Sequence, residues 1–284
     1  EFNNLSMRIF KFQYKNNNVY KKFCDLFKKN PQNINTLKEI PFLPISFFKT
    51  HKIISSDKVE RTFYSSGTTT NVSSKHYVSS LNVYEKSFLK NFINNYGNPS
   101  DFTIIGLLPT YIENTSSSLI YMVDRLINES SCNESGFYLN QYDVLIEKIL
   151  KLEKSGKKII LIGVSYALLD LIETKKIKLK NTIVLETGGM KGMRKEMVKG
   201  ELHEVLKSGF GTKNIHSEYG MTELLSQAYS KRDGIFECPN WMRVIIRDIN
   251  DAQNMEFNKK SGGINIIDLA NLYSCSFIAT DDLG

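Results

Sequence analysis

The sequence predicts an α/β fold, a mostly parallel sheet flanked by helices with a small β-rich piece at its C-terminal end. Three observations carry that expectation. Apolar runs at 103–108, 158–163 and 182–185 have the length and β-branching of buried strands. Stretches of helical spacing alternate with them, and such alternation argues for a parallel sheet covered on both faces. After Cys238 the texture changes to short alternating runs, the mark of a separate β-rich piece.

Taken in order, the first sixty residues read as helices. Leu5, Ile9, Phe10 and Tyr14, then Tyr20, Phe23, Cys24 and Phe27, recur at three-to-four spacing before a segment punctuated by Pro31, Pro41 and Pro44. Residues 1–60 are thus expected to form an N-terminal helical arm. Residues 61–237 form the expected α/β core, with helices over 81–96, 116–127, 142–154, 166–175 and 193–207. A short apolar run at 62–64 and another at 214–216, read as the end of a strand, join the three longer runs as sheet candidates. Residues 238–284 hold the β-rich runs 242–249, 263–269 and 274–279. There is no internal repeat.

Composition narrows the function classes. The 37 Lys and Arg outnumber the 30 Asp and Glu, giving +7, but the bases are scattered rather than gathered with aromatics on one stretch. That pattern argues against a nucleic-acid partner and suits, at most, small anionic ligands or an acidic carrier protein. Cys24, Cys132, Cys238 and Cys275 are widely spaced, with no CxxC pair and no zinc-binding cluster, as expected of core residues in a reduced cytoplasmic setting. No apolar stretch approaches the roughly 18 residues of a membrane span, and the N-terminus lacks a signal-peptide layout.

Three motifs carry chemistry. Residues 65–76, Ser-Ser-Gly-Thr-Thr-Thr-Asn-Val-Ser-Ser-Lys-His, form a hydroxyl-rich, glycine-hinged loop. Gly67 frees the backbone to turn N–H groups toward an anion, and Ser65, Ser66, Thr68 and Thr69 add neutral donors suited to phosphate. Taken alone, such a cluster is more often a solvated turn. About 150 residues on comes Ser217-Glu218-Tyr219-Gly220-Met221-Thr222-Glu223, with a flat ring for stacking, a hydroxyl for a phosphate oxygen and a hard carboxylate suited to magnesium. The third motif closes the chain, from Ser274 to Asp281-Asp282-Leu283-Gly284. The expected loops follow expected strands, where ligands gather in parallel sheets. No GxSxG elbow and no GxxxxGK[ST] loop is present, which disfavours serine-hydrolase and P-loop chemistry.

Together the motifs resemble those of the adenylate-forming superfamily: SSGTT at 65–69, although Thr70 stands where glycine is usual, YGMTE at 219–223, and a TGDLG-like element in which Asp281 replaces the glycine. Further stretches, Ile40-Pro41-Phe42-Leu43-Pro44, Leu107-Leu108-Pro109-Thr110-Tyr111 and Thr187-Gly188-Gly189-Met190-Lys191-Gly192, resemble the acyl-protein synthetase (LuxE-like) family, with phenylacetate–coenzyme A ligases as more distant kin. The resemblance implies ATP-dependent conversion of a fatty or other hydrophobic acid to an acyl-adenylate, then transfer to a thiol on a partner protein, a carrier protein or coenzyme A.

The same resemblance implies the roles of residues. Ser65, Ser66, Gly67, Thr68 and Thr69 would hold phosphates, Thr222 would touch the α-phosphate, and Glu223 would hold Mg2+. Gly188, Gly189, Tyr219 and Gly220 would frame adenine, Asp282 would fix the ribose, and Tyr111, Met190 and Met221 would line the acyl slot. In such proteins a small lid domain follows the third motif, and this chain stops at Gly284, so the large domain alone is expected here. The alternative from a different class is a non-catalytic nucleotide- or acyl-binding subunit of a fatty-acid reductase complex.

Overall fold

The computed structural model describes residues 1–66, 72–109, 115–139, 141–190, 192–249 and 261–284. Among the described residues the strands are β1 Leu43–Pro44, β2 Arg61–Tyr64, β3 Lys75–Val78, β4 Thr103–Leu107, β5 Gly136–Phe137, β6 Ile159–Val164, β7 Thr182–Thr187, β8 His216–Tyr219, β9 Ala228–Ser230, β10 Met242–Arg247, β11 Gly263–Asp268 and β12 Phe277–Leu283. The α-helices are α1 Phe2–Asn16, α2 Asn18–Leu26, α3 Phe47–Thr50, α4 Leu81–Tyr96, α5 Ser118–Glu129, α6 Tyr142–Lys154, α7 Ser165–Thr174 and α8 Lys199–Phe210. None of these helices is long and apolar enough to cross a membrane.

The chain divides into two compact units. One comprises Glu1–Ser87, Met221–Ser226 and Cys238–Gly284; the other comprises Phe88–Gly220 and Gln227–Glu237.

The second unit is the parallel sheet the sequence predicts. Its strand order is β5-β4-β6-β7-β8-β9, parallel from β5 to β8 and closed by antiparallel β9. Every residue of β4 and β6 is buried, which is why both read as unbroken apolar runs. The helix expected over 193–207 begins only at Lys199. Gly192 has φ +71°, and Arg194 is held by ion pairs to Asp170 and Glu173, so the preceding segment is tied to α7 instead of winding into α8. The run at 214–216 leads into β8, which starts at His216 and ends at Tyr219.

In the first unit, α1 and α2 join at Asn17, whose side chain caps α2 by accepting from Tyr20 N and also donates to Ser274 O. Phe10, Tyr20 and Phe42 gather on the ring of Phe277, and the buried Gln13 amide meets the backbone at Asn271, Leu272 and Ser276. These contacts seat the N-terminal helices on the sheet β1-β12-β11-β10.

The run at 62–64 departs from expectation. It belongs to a two-stranded antiparallel hairpin, β2-β3, and not to the parallel sheet. The physical reason is that Phe63 is the one buried residue of this four-residue strand, too little apolar surface for a strand covered on both faces. A second difference lies at the C-terminus, where the run expected over 274–279 begins as a strand only at Phe277 and continues through Asp281 and Asp282, with a register shift between Gly263 and Asn265 of β11.

Candidate active site

The Ser217–Glu223 motif straddles the division of the chain, with Tyr219 and Gly220 in the second unit and Met221, Thr222 and Glu223 in the first. The candidate residues therefore fall into two groups, one in each unit.

In the first unit, the hairpin holds the motif's acidic end. Ser65 and Ser74 face each other where β2 and β3 open into the loop, Ser65 N donating to Ser74 O at 3.1 Å and Ser74 N to Ser65 Oγ at 2.9 Å. Glu223 is buried, and burial raises its carboxyl above the ordinary range; a hydrogen bond with Ser74 and the charge of Lys49 pull it back, while the charge of Asp282 raises it further. Asp282 is exposed, and its backbone N–H reaches Thr280 Oγ1 at 3.2 Å.

The backbone of the motif is fixed by three buried side chains. His76 Nδ1 contacts Thr222 O at 2.7 Å, Asn271 Nδ2 donates to Glu223 O at 2.8 Å, and Asp268 accepts from Leu225 N and Ser226 Oγ at 2.9 and 2.6 Å. His76 is fully buried. Met221 and Thr222 are half-buried, and Ser66 and Lys75 are exposed.

In the second unit, the ends of the adjacent parallel strands β7 and β8 bring Gly188 and Gly189 together with Tyr219 and Gly220. Gly188 and Gly189 have φ +70° and +64°, a left-handed turn that L-residues with a Cβ resist. Among the described residues nothing lies within 4 Å of where a Cβ of Gly189 would project, leaving bare backbone open to a flat ligand. The Tyr219 ring meets Phe236 edge-on at 6.1 Å, and Phe236 carries the Lys199 ammonium over its face at 5.0 Å. Met190, next after the glycines, is buried.

Two buried carboxylates stand behind these strand ends. Glu186 is opposed by burial, but His203, Lys199 at 2.7 Å and Ser217 outweigh it and hold the carboxyl down at about 2. Glu218 accepts from Thr187 Oγ1 at 2.5 Å; burial pushes it up to about 7, with the Glu186 charge adding to the rise. Parallel pairing sets Glu186 beside Ser217, so Glu186 and Glu218, one residue further along, point to opposite faces of the sheet.

Gly67, Thr68, Thr69 and Tyr111, expected on the phosphate and acyl sites, and Lys191 lie outside the described residues. Sequence reasoning missed Asn271, Glu186 and Lys199, and it gave no role to Ser74 and Thr187 within their motifs, because folding sets the partners of all five.

The donor set for a divalent cation can be judged from Glu223. Among the described residues no group of three His, Cys, Asp or Glu could hold a metal ion. Magnesium, however, commonly takes one or two carboxylates and completes its octahedron with phosphate oxygens and water. A buried carboxylate, raised by burial and further by the Asp282 charge, fits that need.

Residues 2–284 match the family described as acyl-protein synthetase, LuxE. The chain belongs to that family. No curated protein matches this LuxE-family chain. Among solved structures it is similar to an ATP-bound RpMatB–BxBclM chimera at 18% identity and TM-score 0.58, over 80% of this chain and 45% of the other. It is similar also to 2-hydroxyisobutyryl-CoA ligase in complex with 2-HIB-AMP, at 10% identity and TM-score 0.70, over 99% of this chain and 61% of the other. A third is apo MatB from Rhodopseudomonas palustris, at 14% identity and TM-score 0.54, over 79% of this chain and 42% of the other. The LuxE-family chain thus shares the fold of these ligases and spans 42–61% of their length.

Proposed function

We propose that the protein activates a carboxylic acid with ATP. One carboxylate oxygen attacks the α-phosphorus in line, the bond to the β-phosphate oxygen breaks, pyrophosphate leaves, and an acyl-adenylate remains. The acyl group then passes to a thiol, with AMP as the leaving group. Chemistry of this kind needs positioning and charge neutralisation more than covalent help.

The observation that carries this reading is the group around Glu223. Ser65 and Ser74 at the open end of the hairpin, a buried carboxylate bonded to Ser74 and the Asp282 charge that acts on it belong to one unit of a LuxE-family chain. In this assignment Ser65, Ser66, Gly67, Thr68 and Thr69 hold the β- and γ-phosphates, Thr222 meets the α-phosphate and Glu223 holds magnesium. Magnesium, when bound, neutralises charge on the phosphate oxygens. Gly188 and Gly189 offer bare backbone to adenine, Tyr219 and Gly220 flank it, and Asp282 accepts from the ribose hydroxyls. Tyr111, Met190 and Met221 line the acyl slot, which suits a fatty or other hydrophobic acid.

The family favours a protein cysteine as acceptor over coenzyme A. Cys24 and Cys275 are fully buried, and burial raises both thiols, which disfavours either as that cysteine. Four free cysteines suit a reducing, cytoplasmic setting. The test is exchange of labelled pyrophosphate into ATP with a panel of fatty and aromatic acids. Exchange that requires a hydrophobic acid supports the reading, and exchange indifferent to every acid refutes it.

A further inference from the structure

The carboxylate on β8 has no place in the roles assigned above, although it lies directly under them. Glu218 precedes Tyr219, bonds Thr187 at the end of β7, and sets its Oε1 where a Cβ of residue 220 would have to go. Gly220 thus leaves the carboxyl in contact with the backbone of the motif, while Thr187 leads straight into the Gly188-Gly189 turn. One buried side chain touches both strand ends.

We propose that Glu218 is a positioning residue of the nucleotide site: bonded to Thr187 and lying against Gly220, it holds the Gly188-Gly189 turn and Tyr219 at one separation. The inference rests on the reading of those residues as the adenine site.

The environment selects the form of Glu218 that can do this. Facing it are the Thr187 hydroxyl on β7 and the Tyr96 phenol on α4, which the Glu218 charge helps to keep protonated after burial does most of that work. Tyr229 is its cross-strand partner on β9, and His216 shares its face of β8, held neutral down to about 4 by burial and the charge of Lys231. Across the sheet stand the Glu186 anion, which opposes a second negative charge, and Lys199 on α8, already bonded to Glu186. A protonated carboxyl fits this site, accepting from Thr187 on one oxygen and placing a neutral O–H against Gly220. The Thr187 bond and the Lys199 charge favour the anion, but burial and the Glu186 charge outweigh them; ionisation would set a negative charge against Gly220 with Lys199 already bonded to Glu186, and the contact with the Gly220 backbone would loosen. Adenine binding should then weaken as pH rises through about 7.

The experiment is calorimetric binding of a fatty-acyl sulfamoyl adenosine, which carries no group titrating near neutrality, at several pH values from about 6 to 8. If only the protonated form is competent, affinity falls roughly tenfold by pH 8, one unit above the carboxyl's own value. Glu218→Gln, which copies the neutral acid, should bind as the wild type does at pH 6 and keep that affinity at pH 8. Thr187→Val should weaken binding at every pH, and Thr187→Ser should restore it. A pH profile that is the same in wild type and Glu218→Gln overturns the positioning role even if the analogue binds well. Binding by neither protein at any pH removes the adenine reading itself, and the inference falls with it.

Discussion

His76 donates a 2.7 Å hydrogen bond from Nδ1 to the backbone carbonyl of Thr222, 146 positions along the chain. A carbonyl can only accept, so Nδ1 carries the proton, and Nε2 accepts from Ser274 Oγ at 2.9 Å. Burial holds this imidazole neutral down to about 4, with the Thr222 bond acting the other way. The proposed α-phosphate contact is thus aimed by a neutral histidine buried beneath the hairpin.

That assignment sets a pH window for stability. A histidine depressed from 6.5 to about 4 contributes stability that is complete above 6.5 and is lost as pH falls toward 4. The loss is on the order of 3 kcal/mol, at about 1.4 kcal/mol per unit. Urea unfolding at pH 7 and pH 4.5 should show a smaller difference for His76→Gln than for the wild type. Equal differences would contradict the assignment.

Glu223→Gln should separate chemistry from folding. The substitution removes a charge that burial and Asp282 already disfavour, so the melting temperature should hold or rise. Pyrophosphate exchange should fall by on the order of 100-fold, the usual cost of losing one stabiliser of transition-state charge. A variant that exchanges normally would exclude Glu223 as the magnesium ligand.

At the strand ends, Gly189→Ala meets the left-handed backbone at φ +64°, a strain of roughly 1–2 kcal/mol. Gly220→Ala instead drives a methyl into the Glu218 carboxyl, an overpacking cost of about 1–3 kcal/mol. Thermal melts should register both. Binding of the adenosine analogue should weaken further in each variant than in a control of similar melting temperature away from the strand ends, for example Ile149→Val, which trims a buried side chain of α6.

The Glu186 network makes a prediction of the opposite sign from Glu218. A carboxyl held at about 2 contributes stability present above its ordinary 4.5 and lost as pH falls toward 2. Lys199→Met removes its 2.7 Å charged bond and should cost about 2 kcal/mol at neutral pH. In a double-mutant cycle, Lys199→Met should cost much less when Glu186→Gln is already present, because the charge it served is gone. An undiminished cost would show that Lys199 acts through something other than Glu186.

The parts of the fold legible in the sequence were those with local causes. β4 and β6 are buried along their whole length and so announced themselves as apolar runs, and α4 coincides with its expected bounds of 81–96. β5 and β9, of two and three residues, are too short to have a period, and β2 looked like a sheet strand because hydrophobicity does not say which strand will pair with it. For the site, Tyr219 and Glu223 stood out by residue type and order. The burial of Glu223, the proton on His76 and the opposed carboxylates Glu186 and Glu218 come from partners brought together by folding, and nothing in the neighbouring residues encodes them.

The most direct test of acid activation is the affinity of the chain for a fatty-acyl sulfamoyl adenosine compared with adenosine and with the free acid. An adenylate-forming site should bind the joined analogue at least about 100-fold more tightly than either part, as transition-state and intermediate mimics do. An analogue that binds no better than its tighter part would contradict the account, because no single site would then hold nucleotide and acyl group together.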